Sequence, residues 1–156
     1  FCPESKLSGV GNTDFMSVVW YKKTVTVPES MLGKRVFLHF GAVDWKSTVF
    51  INGEKVTEHV GGYVPFKTEV TSFGEKFDVT VCAEDPVYDD NYGHGKQCPV
   101  LESRGCDYTR TTGIWQSVWL EAVGERYIEN FRVTPNVDAC EIILEVEAKD
   151  AYGADV

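Results

Sequence analysis

Apolar and polar residues alternate along most of this chain with a period of two, and no stretch carries the 3.6-residue stripe of an amphipathic helix. Alternation is clearest in three segments, each of which places apolar side chains on one face of a strand. These faces are formed by Val36, Leu38 and Phe40, by Phe77, Val79, Val81 and Ala83, and by Ile142, Leu144, Val146 and Ala148. The same pattern predicts strands at 17–27, 35–41, 47–52, 77–84, 116–123, 127–133 and 140–149.

Turn residues separate the predicted strands. Asn52-Gly53 follows one strand directly and predicts a two-residue hairpin turn, because both central residues of a type I′ turn need positive φ. Further breaks are marked by Pro28, Gly33, Gly61-Gly62 and Gly74. Many short strands with turns between them and no crossover helices predict an all-β protein, built as an antiparallel sandwich or barrel.

Length and composition are those of one globular domain with a short appendage. The chain has 156 residues, of which 43% are hydrophobic and 25% charged, and at this length a single core needs no disulfide or metal in order to fold. The formal net charge of -9 argues against nucleic acid as a partner, because binding to phosphates depends on Lys and Arg. No apolar run approaches the roughly 20 residues that a membrane-spanning helix needs, and the first residues, FCPESKLSG, lack the basic and apolar blocks expected of a secretion signal. A start without Met is expected of a piece cut from a longer protein.

The cysteine content favours a reducing compartment, and a cytoplasmic location is therefore predicted. Five cysteines are an odd number in a chain whose size does not require cross-links. His94, Cys98 and Cys106 are the nearest approach to a metal-binding set, but no paired Cys-x-x-Cys accompanies them. Neither a metal site nor a cofactor is predicted.

A domain boundary is predicted near Gly124, which divides the chain into 1–124 and 125–156. The second part contains two predicted strands around Pro135-Asn136 and Asp138. Two strands alone are only marginally stable in water. They are expected either to dock on the first domain or to open a second domain.

Three segments carry a resemblance to a known family. They are VWYKKTVTVPE from Val19, the stretch that contains GAVDWKSTVFING and HVGGYVPF, and YTRTTGIWQSVWLE from Tyr108. Together they resemble the amino-terminal sugar-binding domain of glycoside hydrolase family two, the family of β-galactosidases, β-glucuronidases and β-mannosidases. The tail from Tyr127 resembles the first strands of the immunoglobulin-like domain that follows in this family.

The resemblance implies a jelly-roll β-sandwich, like a galactose-binding domain, that packs against a separate catalytic barrel. The catalytic pair of Glu residues lies on that barrel, so no catalytic residue is expected in this chain and the fragment alone is expected to be inactive. The parent would be a retaining glycosidase, most like a β-galactosidase, with one carboxyl as acid/base and the other as nucleophile. Its partners would be its own barrel and immunoglobulin-like domains and a β-galactoside-type carbohydrate. A homo-oligomeric parent is compatible with the resemblance.

The strand-poor segment 85–113 is the predicted functional loop, because structureless loops of this length in compact domains usually carry function or are disordered. Carboxylates and amides bind sugar hydroxyls, and aromatic faces pack on sugar C–H groups. By its position after the VTVCAE strand, Asp85 matches an aspartate that in the family's β-galactosidases holds a substrate hydroxyl. The predicted substrate-binding residues are Asp85, Tyr88, Asp89, Asp90, Tyr92 and Gln97. A solvated acidic loop is an equally weighted alternative.

Two other functions stay open at this point: a stand-alone carbohydrate-binding module, and a purely structural domain that supports the barrel or mediates oligomerisation. The tryptophans of TGIWQSVWLE bear on this choice. Alternation places Trp115 and Trp119 on the face opposite to Ile114, Val118 and Leu120. That face could be a sugar platform or, as the resemblance favours, an interdomain contact.

Overall fold

The computed structural model describes residues 6–12, 14, 16–86, 89, 91–93 and 95–150. Short 3₁₀ turns lie at Lys6–Ser8, Glu29–Met31 and Thr71–Phe73. The strands, in chain order, are β1 (Val18–Thr26), β2 (Arg35–Phe40), β3 (Val43–Asp44), β4 (Lys46–Ile51), β5 (Glu54–Val60), β6 (Phe66–Glu69), β7 (Lys76–Glu84), β8 (Gly113–Ile114), β9 (Val118–Val123), β10 (Tyr127–Asn136) and β11 (Glu141–Lys149).

Two antiparallel sheets share one hydrophobic core. The first sheet has the strand order β1-β7-β4-β5 and the second has the order β6-β2-β9. A short antiparallel pair, β3 with β8, lies beside them. This arrangement is a jelly-roll β-sandwich, so the all-β fold predicted from the sequence is confirmed.

The core is built by the apolar faces of β2 and β7, as the alternation predicts. Phe40 is 1% exposed on β2 and Val81 is 2% exposed on β7. Strand β4, which lies beside β7 in the same sheet, adds Val49 and Ile51 to the core, and both are fully buried. One residue departs from the pattern, because Phe37 lies on the opposite face of β2 and is still only 7% exposed. The ring of Tyr127, 6.0 Å away, and the ammonium of Lys67, 4.8 Å from the ring centroid, cover it.

The predicted turn at Asn52-Gly53 joins β4 to β5, with φ of 50° and 87° at its two residues. The sequence pattern did not predict four strands, β3, β5, β6 and β8. Two of them, β3 and β8, are only two residues long, and β5 is an edge strand whose residues are mostly charged or polar. Strand β9 begins at Val118, later than predicted, because Gln116 and Ser117 turn against the backbone of Gly41, whose N–H donates to the Ser117 carbonyl at 2.9 Å.

Strands β10 and β11 form a two-stranded sheet of their own, with Val133 opposite Leu144. Most of its apolar residues share one face, as predicted, with Ile143 on the other. The shared face is open to solvent: Phe131 is 63% exposed and Leu144 is 58% exposed. The position of a domain boundary at 124 stays a prediction.

Four cysteines, Cys82, Cys98, Cys106 and Cys140, are free thiols. The reducing compartment and the cytoplasmic location stay predictions. Among the described residues, no helix has the length and apolar character needed to cross a bilayer.

Candidate functional site

A buried carboxylate lies at the end of the sandwich where β3 and β8 pair. Asp44, the last residue of β3, is 6% exposed, and its Oδ2 accepts a hydrogen bond from Gln97 Nε2 at 2.7 Å. The other end of the same carboxamide, Gln97 Oε1, accepts a hydrogen bond from the Thr111 N–H at 2.8 Å. Burial raises the pKa of Asp44, and the hydrogen bond from Gln97 acts in the opposite direction. Gln97 therefore joins the middle of the long loop both to β3 and to Thr111 near the loop's carboxyl end.

Gly62 leaves room for the Asp44 carboxyl group. A Cβ at Gly62 would lie 3.0 Å from Asp44 Cγ and would overlap Oδ1. The Gly62 carbonyl also accepts a hydrogen bond from Trp115 Nε1 at 2.8 Å. The next residue, Tyr63, packs against the Trp115 ring edge to face, with centroids 5.9 Å apart. Gly62 and Tyr63, in the connection between β5 and β6, thus contact Trp115, the residue that follows β8.

Aromatic and amide contacts hold the first part of the loop. The ring of Tyr92 packs on Trp45, with centroids 4.4 Å apart. Asp89 Oδ1 accepts hydrogen bonds from the Asn91 N–H at 3.0 Å and from Asn91 Nδ2 at 2.6 Å, which forms a local Asx turn. The Asp89 carboxylate is therefore engaged in turning the chain toward Tyr92.

The second part of the loop, between Gln97 and Tyr108, is closed at its base by backbone hydrogen bonds. The Cys98 N–H donates to the Tyr108 carbonyl and the Tyr108 N–H donates to the Lys96 carbonyl, both at 2.8 Å. Cys98 is fully buried beneath this pairing. The loop is therefore an ordered structure at these residues, with backbone bonds across its base.

Two buried charges lie at the same end of the sandwich. Asp85 is 5% exposed, and its backbone N–H donates to the Ser17 carbonyl at 2.8 Å, which continues the pairing of β7 beyond the end of the strand. Arg110 is 1% exposed and donates from NH2 to the Asp14 carbonyl at 2.7 Å. Buried charges are tolerated only when they are paired or hydrogen-bonded.

The structure brings four of the six predicted site residues to one end of the molecule. They are Asp85, Asp89, Tyr92 and Gln97. Asp85 is buried and Gln97 is engaged with Asp44 and Thr111, while Tyr92 is 39% exposed. Tyr88 and Asp90 lie outside the described residues. Sugar binding by any of the six stays a prediction.

Neither Asp44 nor Arg110 is among the substrate-binding residues predicted from the sequence. Nothing in the pattern marks either residue, because Asp44 and Gln97 are 53 positions apart and arginine is normally a surface residue. The two tryptophans of the TGIWQSVWLE segment do not share a surface. Trp115 belongs to the loop end, whereas Trp119 stacks on His39 at 4.9 Å on the outer face of the β6-β2-β9 sheet. Within the described part of the chain, no group of three or more His, Cys, Asp or Glu residues could hold a metal ion.

Comparison with known proteins assigns a family to this arrangement. The family model described as "Glycosyl hydrolases family 2, sugar binding domain" matches residues 10–123. The chain belongs to this family. It is 34% identical over 119 residues to a β-galactosidase of Thermoanaerobacter pseudethanolicus, in an alignment that covers 75% of this chain and 15% of the relative. It is 29% identical to a putative β-glucuronidase of Formosa agariphila, over 74% of this chain and 13% of the relative.

Solved structures of family members share the fold. A β-glucuronidase of an uncultured Clostridium species superposes with a TM-score of 0.67 at 26% identity, over 86% of this chain and 24% of the other. A putative β-galactosidase from Bacteroides fragilis gives the same TM-score of 0.67 at 23% identity, over 88% of this chain and 21% of the other, which shows the fold alone. The chain spans less than a quarter of the length of each of these four relatives.

Proposed function

We propose that this domain serves a retaining family-two glycosidase, most like a β-galactosidase, by supporting its catalytic barrel and lending the loop 85–112 to the substrate pocket. The observation that carries the proposal is the clamp of Asp44, Gln97 and Thr111, which fastens an Asp- and Tyr-rich loop to a rigid sandwich. A substrate-contacting loop must be held in place, because small displacements of positioning groups cost large factors in rate. The similarity to a β-galactosidase and to a putative β-glucuronidase supports a glycosidase parent.

The resemblance gives Asp85 the role of a substrate ligand within this proposal. Its carboxylate would accept a hydrogen bond from a sugar hydroxyl, and a hydrogen bond to a charged group contributes about 1.5–3 kcal/mol. Asp85 is 5% exposed, so little of its surface in this domain is open to a sugar. The catalytic carboxyl pair would come from the barrel.

A purely structural domain is the second candidate, and the burial of Asp85 together with the engaged amide of Gln97 favours it. In that case the loop contacts only the neighbouring domains. The two candidates differ in what the Asp85 side chain does during the reaction.

Kinetics of the full-length polypeptide separate them. Chromogenic β-galactoside and β-glucuronide are assayed with the wild type and with Asp85→Asn and Asp85→Ala, and we expect a loss of at least about tenfold in kcat/KM, which corresponds to 1.4 kcal/mol. Asp89→Ala is the comparison on the same loop: the Asp89 carboxylate already bonds Asn91, and a loss in Asp89→Ala in place of Asp85→Ala would move the substrate contact from Asp85 to Asp89. Unchanged kinetics in a folded Asp85→Asn protein would leave the structural domain as the better account. The 156-residue chain alone is expected to show no turnover above background.

A further inference from the structure

Tyr63 is an exposed aromatic residue whose direction is nevertheless set by its neighbours. It is 61% exposed, in the connection between β5 and β6. Its ring meets Trp115 at an interplanar angle of 69°, and Trp115 is in turn bonded to the Gly62 carbonyl. A Cβ at Gly95 would lie 2.8 Å from the Tyr63 hydroxyl oxygen, so the loop backbone passes directly beside that hydroxyl. Contacts from two sides hold this side chain at the surface.

The Tyr63 hydroxyl is available to a ligand. No hydrogen bond joins it to any residue in the described part of the chain. Partial desolvation of the phenol raises the pKa of Tyr63, and the negative charges of Asp44 and Asp85 raise it further. The phenol is therefore a neutral group at physiological pH, able both to donate and to accept a hydrogen bond.

We infer that Tyr63 contacts the sugar substrate directly, with its hydroxyl hydrogen-bonded to one sugar hydroxyl and its ring lying against sugar C–H groups. The inference rests on the proposed function, and it makes Tyr63, which is exposed where Asp85 is buried, the part of this domain that the sugar meets. Tyrosine suits this role because it offers a large rigid face and a polar tip on one side chain. A neutral sugar hydroxyl is the matching partner, because it also donates and accepts.

The chain offers a matched control in Tyr108. This residue is 66% exposed and belongs to the same loop region, but the group over its ring is the ammonium of Lys96, at 5.8 Å. Its backbone is fixed by the pairing with Lys96 and Cys98. Removing the Tyr108 hydroxyl therefore tests for a general effect of losing an exposed phenol in this part of the molecule.

The test uses the full-length polypeptide with Tyr63→Phe, Tyr63→Ala and Tyr108→Phe. Each variant is assayed on p-nitrophenyl β-D-galactoside and on its analogues that lack one hydroxyl, or on the corresponding β-glucuronide series if that is the sugar hydrolysed. We expect Tyr63→Phe to lower kcat/KM on the parent sugar by about twofold to tenfold, the range for one neutral hydrogen bond. For one deoxy analogue this penalty should vanish, because that substrate no longer has the partner hydroxyl. Tyr63→Ala should lose more than Tyr63→Phe on every substrate, and Tyr108→Phe should stay within about twofold of wild type.

The substrate ratios make the outcome independent of how much of a variant is folded, since both rates come from one preparation. An equal penalty of Tyr63→Phe on every analogue would overturn the inference, and so would a loss of the same size in Tyr108→Phe. If Tyr63→Phe is silent while Asp85→Asn loses activity, Tyr63 is wrong and the proposed function stands. If the wild-type protein does not hydrolyse these sugars, and calorimetric titration with galactose and glucuronic acid shows no binding, both the proposed function and this inference are wrong.

Discussion

The loop at 85–112 and the hairpin β10–β11 both lie outside the main core, and they obtain their order in opposite ways. The loop is held by polar groups: the Asp44 carboxylate, the Gln97 amide and backbone bonds across its base. The hairpin is held by its own ladder and carries an apolar face that stays in solvent, with Ile142 72% exposed. An apolar face of this kind contributes stability only once another surface covers it.

The difference shows where each region is sensitive. A buried polar bond is costly to break, because the partner left behind is unsatisfied in a place that water does not reach. An exposed apolar side chain is cheap to change as long as nothing packs on it. Substitutions should therefore unfold or loosen the loop end while the hairpin tolerates them.

The largest effect is expected from filling the space beside Asp44. Gly62→Ala would place a methyl group against the Asp44 carboxyl, and overpacking of a rigid site costs about 3 kcal/mol in the free energy of unfolding. Chemical denaturation of the 156-residue chain measures it. Gly93→Ala is the control on the loop, since no atom lies within 4 Å of a Cβ there, and it should change stability by less than about 0.5 kcal/mol. Equal effects of the two substitutions would show that the loop end is not tightly packed.

A smaller effect is expected from removing the clamp. Gln97→Ala leaves the buried Asp44 carboxylate without its amide donor and should cost about 1–2 kcal/mol. Gln116→Ala is the matched control because Gln116 is exposed and alanine keeps the Cβ that packs near Gly41. Hydrogen exchange adds a local readout, since the Thr111 N–H donates to Gln97 Oε1 and should lose protection in Gln97→Ala alone. Persistent protection of that amide would contradict a clamping role.

The sequence predicted the sandwich well because its main strands carry their burial pattern locally. In β7 the alternation of Phe77, Val79 and Val81 with polar residues is enough to assign both strand and face. The loop end could not be predicted in the same way. Its contacts join residues 53 positions apart, as in Asp44 with Gln97, and neither residue type signals burial. Asp85 illustrates the limit: its side chain was expected on an open loop, but the backbone bond to Ser17 extends the strand pairing and buries it.

The ionisation of Asp44 makes the stability of the loop end sensitive to pH. Burial raises the pKa of Asp44 in the folded protein above its value in the unfolded chain, so the native state takes up a proton first as the pH falls. The contribution of Asp44 to the free energy of unfolding is therefore lowest near neutral pH, where Asp44 is ionised in both states. It rises as the pH falls from the folded-state pKa to the unfolded-state pKa. Asp44→Asn keeps an oxygen that can accept the Gln97 bond and removes the charge.

We therefore expect Asp44→Asn to be more stable than wild type at neutral pH, by less than the loss seen in Gln97→Ala, and the difference to shrink as the pH falls toward 4. Unfolding curves across this range measure it. Every other carboxylate is common to both proteins, so the difference between the two curves isolates Asp44. A difference that stays constant with pH would mean that Asp44 does not titrate in this interval.

The smallest effect is expected in the hairpin. Leu144→Ser removes an apolar side chain that is 58% exposed, and in the 156-residue chain it should change the free energy of unfolding by less than about 0.5 kcal/mol. Ile143→Ser is the matched control, because Ile143 is 51% exposed on the opposite face of β11.

In the full-length polypeptide the two variants should differ in stability if another part of the protein covers the apolar face. Leu144→Ser would then cost about 2 kcal/mol, the free energy of burying one such side chain, while Ile143→Ser stays near zero. Equal and small effects in both proteins would show that this face remains in solvent, and a large effect of Leu144→Ser in the short chain would mean that the loop and the hairpin do not differ as described.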